Sequence, residues 1–208
     1  MTLSSQPWVV HQTTVDTHVV TVRPLQPADA DFIFAMHERL SPESIYYRYL
    51  QYRRPTLAEL ATVCHLAPER GAGFVATLPA EPGTVVGVAY YVREAYTAEP
   101  TAEPGILVED RFQAQGIGRQ LWQQLQHHAQ MNGLHRLRVW SHPNNRQLAR
   151  LVQGGGFPYR AQISGGLREY LVDLGEPIAQ QVAGQMVPET DLMQMGRCFH
   201  AENCSVWN

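Results

Sequence analysis

The chain has 208 residues and a formal net charge of −3, with 44% hydrophobic and 17% charged residues. This apolar share is enough for the core of one domain, and the scattered Lys and Arg residues exclude an electrostatic attraction to nucleic acid or anionic lipid. Residues 1–12 lack a signal-peptide pattern, no stretch approaches the roughly 20 apolar residues of a membrane span, and three cysteines cannot all pair. We therefore expect a cytoplasmic protein.

The first third of the chain predicts an arm, one strand and three helices. Residues 1–17 are polar and are expected to form an N-terminal arm, and His18–Pro24 is typical of a strand. A helix is predicted for residues 27–39 because apolar residues recur at helical spacing. Ser41 followed by proline starts a second helix, and residues 56–59 have the capping-box spacing that opens a third.

Strands dominate the middle of the chain. Residues 73–78 and 85–92 predict two strands joined by a Pro-Gly turn. Residues 94–104 predict a loop that contains the sequence Thr-Ala-Glu-Pro twice, and residues 106–108 predict a short buried strand.

The last part of the chain alternates strands with helices. A glycine-containing turn at residues 113–118 leads into an amphipathic helix, which is followed by a strand at 136–140 and a helix capped by Asn144 or Asn145. Residues 159–174 predict a closing hairpin, and residues 175–208 predict a C-terminal appendage. The order of elements indicates an α/β (α+β) fold.

The turn at residues 113–118 has the chemistry of a pyrophosphate site. Backbone N–H groups at a helix start attract an anion, and glycine lets the backbone approach it closely. The alternative is an ordinary glycine turn between a strand and a helix. A dinucleotide-binding fingerprint is excluded because Leu121 stands where its third glycine is required, and no P-loop Gly-Lys-Ser/Thr is present.

The segment from residue 103 to 157 resembles the core of the GNAT superfamily of N-acetyltransferases. Its pattern Gln/Arg-x-x-Gly-x-Gly/Ala is met by Gln113, Gly116 and Gly118, and its Asn-capped helix that ends in Gly-Phe is met by Asn145 and Phe157. Upstream, Leu-Ser-Pro-Glu-Ser is similar to a helix of bacterial protein-lysine acetyltransferases. The resemblance covers residues 18–174 and implies the GNAT fold, with a mixed, mostly antiparallel central sheet flanked by helices.

The resemblance also implies the reaction, which is direct transfer of an acetyl group from acetyl-CoA to a primary amine. An Ala-Glu pair ten residues before Gln113 implies that Glu103 is the general base. Glu99 is a competing candidate, because the Ala-Glu-Pro sequence is doubled and Pro104 cannot donate a ladder hydrogen bond, which leaves the start of the strand open. The implied cofactor-binding residues are Ile106, Leu107, Val108, Gln113, Ala114, Gln115, Gly116, Ile117, Gly118, Arg119 and Asn145.

One departure from the superfamily pattern and three further expectations remain. Val152 stands where many members of the superfamily place a tyrosine as general acid, so a non-catalytic acyl-CoA sensor stays an alternative beside acetylation of a protein lysine or a small amine. The tyrosines of the second helix form either a groove wall or a substrate-facing surface. Cys198, His200 and Cys204 match no standard zinc set, so no metal is expected. The expected oligomeric state is a monomer or a homodimer.

Overall fold

The computed structural model describes residues 11–15, 18–81 and 83–175. Within these ranges eight strands form one sheet in the order β1-β2-β3-β4-β5-β6-β8-β7. The strands are β1 (His11–Val15), β2 (His18–Pro24), β3 (Gly71–Thr77), β4 (Val85–Arg93), β5 (Thr101–Val108), β6 (Arg136–Ser141), β7 (Tyr159–Ser164) and β8 (Leu167–Asp173). The helices are α1 (Ala30–Glu38), α2 (Pro42–Tyr49), α3 (Leu57–Cys64), α4 (Ile117–Met131) and α5 (Arg146–Gln153).

The sheet is mixed and mostly antiparallel, as predicted. Its one parallel pair within the described ranges is β5 with β6, and that pairing spans only Thr101 with Arg136 and Ala102 with Leu137. Helices cover both faces of the sheet: α4 packs against β3, β4 and β5, while α1 and α3 pack together on the opposite side. Beyond their short parallel pairing, β5 and β6 diverge and leave a gap in the middle of the sheet.

The helix starts follow the capping signals in the sequence. The Ser41 side chain accepts a hydrogen bond from the Ser44 N–H at the start of α2, and Thr56 and Glu59 form a capping box at the start of α3. In α4 the apolar face is fully buried, with Leu121 and Leu125 at 0% exposure. This burial fixes how the N-terminus of α4 is presented to the gap.

The segment expected to be an arm contains a strand. β1 pairs antiparallel with β2, from His11 opposite Val22 to Val15 opposite His18. Without β1, the outer edge of β2 would present unpaired N–H and C=O groups, and β1 pairs with that edge. Part of the segment that we predicted as an N-terminal arm, residues 11–15, is therefore an edge strand of the sheet.

β5 begins earlier than the sequence predicted, at Thr101, and it passes through Pro104 without a shift in register. Glu103 lies opposite Val92, and Pro104 lies opposite Tyr91. Hydrogen bonds from Glu94 N–H to the Thr101 carbonyl and from Glu109 N–H to the Val86 carbonyl show that odd-numbered residues of β5 face β4. The missing N–H of Pro104 therefore points toward the β6 side, where the strands have begun to separate.

Among the described residues, no helix has both the length and the apolar character needed to cross a membrane.

Candidate active site

A cavity of about 410 Å³ fills the gap between β5 and β6. Its walls come from α2, the second half of β5, the turn before α4, β6 and α5. The residues lining it are Ser44, Tyr47, Arg48, Pro104, Gly105, Ile106, Leu107, Val108, Gln113, Ala114, Gly116, Gly118, Arg119, Trp122, Val139, Trp140, Asn145, Gln147, Leu148, Arg150, Leu151 and Gly154. Most of the residues implied by the resemblance therefore share one cavity.

The strand β5 presents its backbone to this cavity. Because odd-numbered residues of β5 pair with β4, the N–H and C=O groups of Ile106 and Val108 point into the gap. The Val108 carbonyl accepts a hydrogen bond from the Gln113 side chain at 3.0 Å. The N–H groups at this edge remain available to an extended ligand.

The turn before α4 leaves the N-terminus of the helix open. Gly116 is the N-cap with φ of 91°, it offers no side-chain cap, and no atom lies within 4 Å of the place where its Cβ would stand. Ala114 also has a positive φ, of 59°. The first N–H groups of α4 have no partner within the helix, and no acidic side chain lies in its first turn. Arg119 lies there instead, which favours an anion at this position.

Gln113 and Asn145 organise this end of the cavity with their side chains. The Gln113 amide nitrogen also donates to the Ser44 hydroxyl at 3.1 Å, and its oxygen accepts from Gln147 at 3.0 Å, so that α2, β5 and α5 are tied together. Asn145 caps α5 by accepting a hydrogen bond from the Leu148 N–H at 3.0 Å. Both residues line the cavity and build its walls.

Two implied cofactor residues, Gln115 and Ile117, do not line the cavity with their side chains. The Gln115 amide donates to the Arg111 carbonyl at 3.0 Å, and Ile117 is fully buried in the main core. The sequence pattern named the residues of this turn, but it could not tell which of their side chains point into the core.

A buried ion-pair junction supports the turn. Glu109, which is 2% exposed, forms ion pairs with Arg39 at 2.9 Å and with Arg111 at 2.5 Å. Asp110 next to it accepts hydrogen bonds from the Ser41 N–H and from the hydroxyls of Ser41 and Ser44. Burial acts to raise the pKa of Asp110, but these hydrogen bonds outweigh it and hold the pKa below its ordinary value. The junction joins the end of β5 to α1 and α2.

The other end of the cavity is built by side chains of α2. The guanidinium of Arg48 lies directly over Gly105, where a Cβ would come within 2.1 Å of its Nη2 atom. The same group lies 5.0 Å from the ring centre of Tyr49 and 5.2 Å from that of Tyr90, and it donates a hydrogen bond to the Tyr90 hydroxyl. No carboxylate of the described residues lies within ion-pair distance of Arg48.

The candidate base, Glu103, lies on β5 beside this end. Its side chain is exposed and does not line the cavity, but it shares a face of the sheet with Gly105, two residues along the strand. The competitor Glu99 lies before the strand and forms an ion pair with Arg136 at 2.9 Å. The nearby Glu94 has a pKa raised by burial, opposed by Arg138 and supported by Glu103.

Position 152 offers no acid. Val152 is 1% exposed and packs in the main core, so this position has neither a hydroxyl nor access to solvent. Of the tyrosines of α2, Tyr47 lines the cavity. Tyr46 stacks on Tyr52 at 4.8 Å, and both Tyr46 and Tyr47 contact the His142 ring. Since Tyr47 lines the cavity, this cluster bridges α2 and the loop before α5.

The sequence analysis missed two tryptophans in the cavity wall. Trp122 is 1% exposed on α4, and its indole N–H has no hydrogen-bond partner among the described residues. Trp140 is half-buried on β6 and lies on the strand face opposite to Leu137 and Val139. A tryptophan on the less buried face of a strand was the available signal, because such a residue often lines a site.

No group of three or more His, Cys, Asp or Glu side chains in the described part of the chain is arranged to hold a metal ion. Cys198, His200 and Cys204 lie outside the described residues.

The sequence and the fold both match known proteins. Residues 34–157 match the acetyltransferase (GNAT) family. The GNAT domain of S. lividans PAT has a TM-score of 0.68 at 22% identity, and the match covers 79% of this chain and 96% of that one. The yncA protein, a putative acetyltransferase from Salmonella typhimurium solved with its cofactor acetyl-CoA, has a TM-score of 0.58 at 20% identity, with 76% of this chain and 95% of that one covered.

A third similar structure belongs to a longer protein. A cAMP-binding acyltransferase from Mycobacterium smegmatis has a TM-score of 0.54 at 23% identity, and the match covers 86% of this chain but only 52% of that one. At these identities the structural matches speak for the fold alone, whereas the family match spans more than half of the chain. The chain belongs to the acetyltransferase (GNAT) family and has the GNAT fold.

Proposed function

We propose that this protein is an acetyl-CoA-dependent N-acetyltransferase that moves an acetyl group directly to a primary amine. The observation that carries the proposal is a single cavity in which the open edge of β5 meets the uncapped N-terminus of α4. An extended chain that ends in a pyrophosphate fits these two features together.

The residues present fit coenzyme A. The N–H groups at the start of α4 suit the pyrophosphate, and the space above Gly116 leaves room for it. The N–H and C=O groups of Ile106 and Val108 suit the amide groups of the pantetheine arm. Arg119 and Arg150 line the same cavity and suit the 3′-phosphate. The bound molecule supplies the acetyl thioester.

The acceptor must be a neutral amine before it attacks. Glu103 removes its proton, and because the Glu103 side chain lies outside the cavity wall, the proton passes through a water molecule. This role contributes about 10²–10⁴-fold to the rate. The Val108 N–H is the donor for the thioester oxygen, which becomes negative as the N–C bond forms.

The C–S bond then breaks, and the thiolate takes one proton. Val152 supplies none, since the side chain is apolar and buried. Water relays to the thiolate the second proton that the nitrogen loses as the amide forms, and a thiolate is stable enough to leave before it is protonated. No covalent enzyme intermediate is needed, which agrees with the burial of Cys64 and its pKa, raised to about 11 by burial.

Within the general class of primary amines, we propose a small-molecule amine as the acceptor. It is favoured over a protein lysine because Tyr47 and Arg48 of α2 form a wall at the acceptor end of the cavity. A protein substrate needs a shallow, open groove at this place.

The experiment is a thiol-release assay with purified protein and acetyl-CoA, using peptides, polyamines and amino acids as acceptors. Release that depends on an amine, with a matching N-acetylated product by mass spectrometry, supports the proposal. Binding of acetyl-CoA without turnover of any amine would overturn it in favour of the acyl-CoA sensor.

A further inference from the structure

The cavity contains one charge that the proposed reaction does not use. Arg48 is half-buried and lines the cavity, yet no carboxylate of the described residues pairs with it. Its Nη2 atom donates to the Tyr90 hydroxyl, and its other nitrogen atoms have no hydrogen-bond partner in the described ranges. A partly buried guanidinium without an ion-pair partner favours an anion from outside the protein.

The position of Arg48 is fixed by its surroundings. It lies between the rings of Tyr49 and Tyr90 and over the backbone of Gly105, where any side chain would displace it. Burial raises the pKa of the Tyr49 hydroxyl to about 12, so this neighbour stays neutral and does not neutralise Arg48. The guanidinium is held against the strand at Gly105, and Arg48 lines the cavity from that position.

A negative charge stands nearby on the same face of the sheet. Glu103 and Gly105 are two residues apart on β5, so Glu103 lies about 7 Å along the strand from the place where Arg48 rests. A positive and a negative group at this spacing complement a small zwitterion placed between them. The carboxylate of such a molecule faces Arg48, and its ammonium group faces Glu103.

We infer that the acceptor is a small amine that carries a carboxylate next to the amino group, as an α-amino acid does, and that Arg48 binds this carboxylate. The inference rests on the proposed acetyltransferase function and narrows its substrate class. The transfer itself is unchanged: Glu103 takes one proton from the ammonium group, the N–C bond forms, the C–S bond breaks, and the second proton that the nitrogen loses passes through water to the leaving thiolate.

A lysine side chain fits this end less well. Its ammonium group carries no neighbouring anion, so it would meet the positive charge of Arg48 without compensation. An amine made from an amino acid by loss of its carboxylate has the same defect. This difference gives the test its matched substrates.

The test compares each of several α-amino acids with its decarboxylated amine, for example phenylalanine with phenethylamine and leucine with isoamylamine. We expect kcat/KM for the amino acid to exceed that of its amine by about 10- to 100-fold, the range for a hydrogen bond to a charged group. In Arg48→Met the preference should fall close to one while KM for acetyl-CoA is unchanged. Arg70→Met, which changes an exposed arginine outside the cavity, should keep the preference.

Two further measurements keep the inference open to refutation if Arg48→Met fails to fold. Gly105→Ala displaces the guanidinium and should weaken the preference, and Arg48→Lys should keep part of it. Equal or better turnover of the decarboxylated amines, or of a lysine peptide, by the parent protein overturns the inference and leaves the acetyltransferase function standing. Absence of turnover with every amine overturns both.

Discussion

The two ends of the cavity are built in different ways. At the end that we propose for the cofactor, the anion-binding groups of the turn are backbone N–H groups at the start of α4, with Gly116 held at positive φ. At the end that we propose for the acceptor, the charged group is a side chain, Arg48, which lies across Gly105 of β5. Backbone N–H groups suit the pyrophosphate common to all coenzyme A thioesters, whereas side chains can differ from one family member to the next. The comparison indicates that the first end follows from the family fold and the second from the particular sequence of this chain.

The substitution with the largest expected effect on the proposed cofactor site is Gly116→Val. The substitution places a branched side chain at a positive φ and in the free space above the turn, so binding of acetyl-CoA should be lost. In the parent protein, acetyl-CoA at 100 times its dissociation constant should stabilise the fold by about 2.7 kcal/mol, measured as a rise in Tm. This rise should disappear in the variant.

Gly118→Ala is the matched control for that experiment. A Cβ at position 118 meets Leu151 and Val108 only at 3.7 Å, an ordinary contact distance, so the rise in Tm should persist. If Gly116→Val binds acetyl-CoA as well as the parent does, the turn is not the pyrophosphate site.

The acceptor end is tested by Glu103→Gln. The amide cannot accept a proton at neutral pH, so kcat should fall by about 100-fold with little change in the affinity for acetyl-CoA. The defect should shrink at high pH, where more of the amine is already neutral. Glu99→Gln is the control, and a larger loss in that variant than in Glu103→Gln would assign the base to the other copy of the doubled sequence.

The buried ion-pair junction around Glu109 should matter mainly for stability. Glu109→Gln removes a 2% exposed carboxylate from between Arg39 and Arg111 and should lower the free energy of unfolding by about 1–3 kcal/mol, measured in urea. Glu38→Gln, at an exposed site on α1, should change it by less than about 0.5 kcal/mol. Equal effects of the two substitutions would show that the ion pairs do not support the turn.

The effect that is smallest at neutral pH comes from a histidine outside both ends of the cavity, and it sets a background for their pH profiles. Burial, followed by the charges of His127 and Arg93, lowers the pKa of His128 from 6.5 to about 4. The unfolded chain therefore binds a proton that the folded protein excludes, and stability should fall as pH decreases from 6.5 toward 4. The contribution is at most about 1.4 kcal/mol per pH unit.

Thermal unfolding at several pH values measures this slope. His128→Gln keeps a hydrogen-bond partner for the Tyr91 hydroxyl but does not titrate, so its slope should be smaller than that of the parent. His65→Gln, at an exposed position, should leave the slope unchanged. An unaltered slope in His128→Gln would mean that other groups, such as the buried His37, carry the acid sensitivity.

The sequence predicted the parts of the protein that depend on local signals. The caps at Ser41 and Thr56 and the glycine turn at Gly116 are short-range patterns, and the structure has each of them. Arg48 could not be placed in the same way, because its contact with Gly105 arises only when α2 packs over β5. The inward direction of Ile117 likewise depends on how α4 is rotated against the sheet.

Pro104 has a consequence for how the sheet assembles. Its missing N–H points toward β6, one step beyond the last pair of the parallel ladder at Ala102 and Leu137. Further pairing of β6 with β5 would require that donor, so Pro104 disfavours extension of the parallel ladder past this point. A ligand that enters the gap at this edge therefore does not have to separate paired strands.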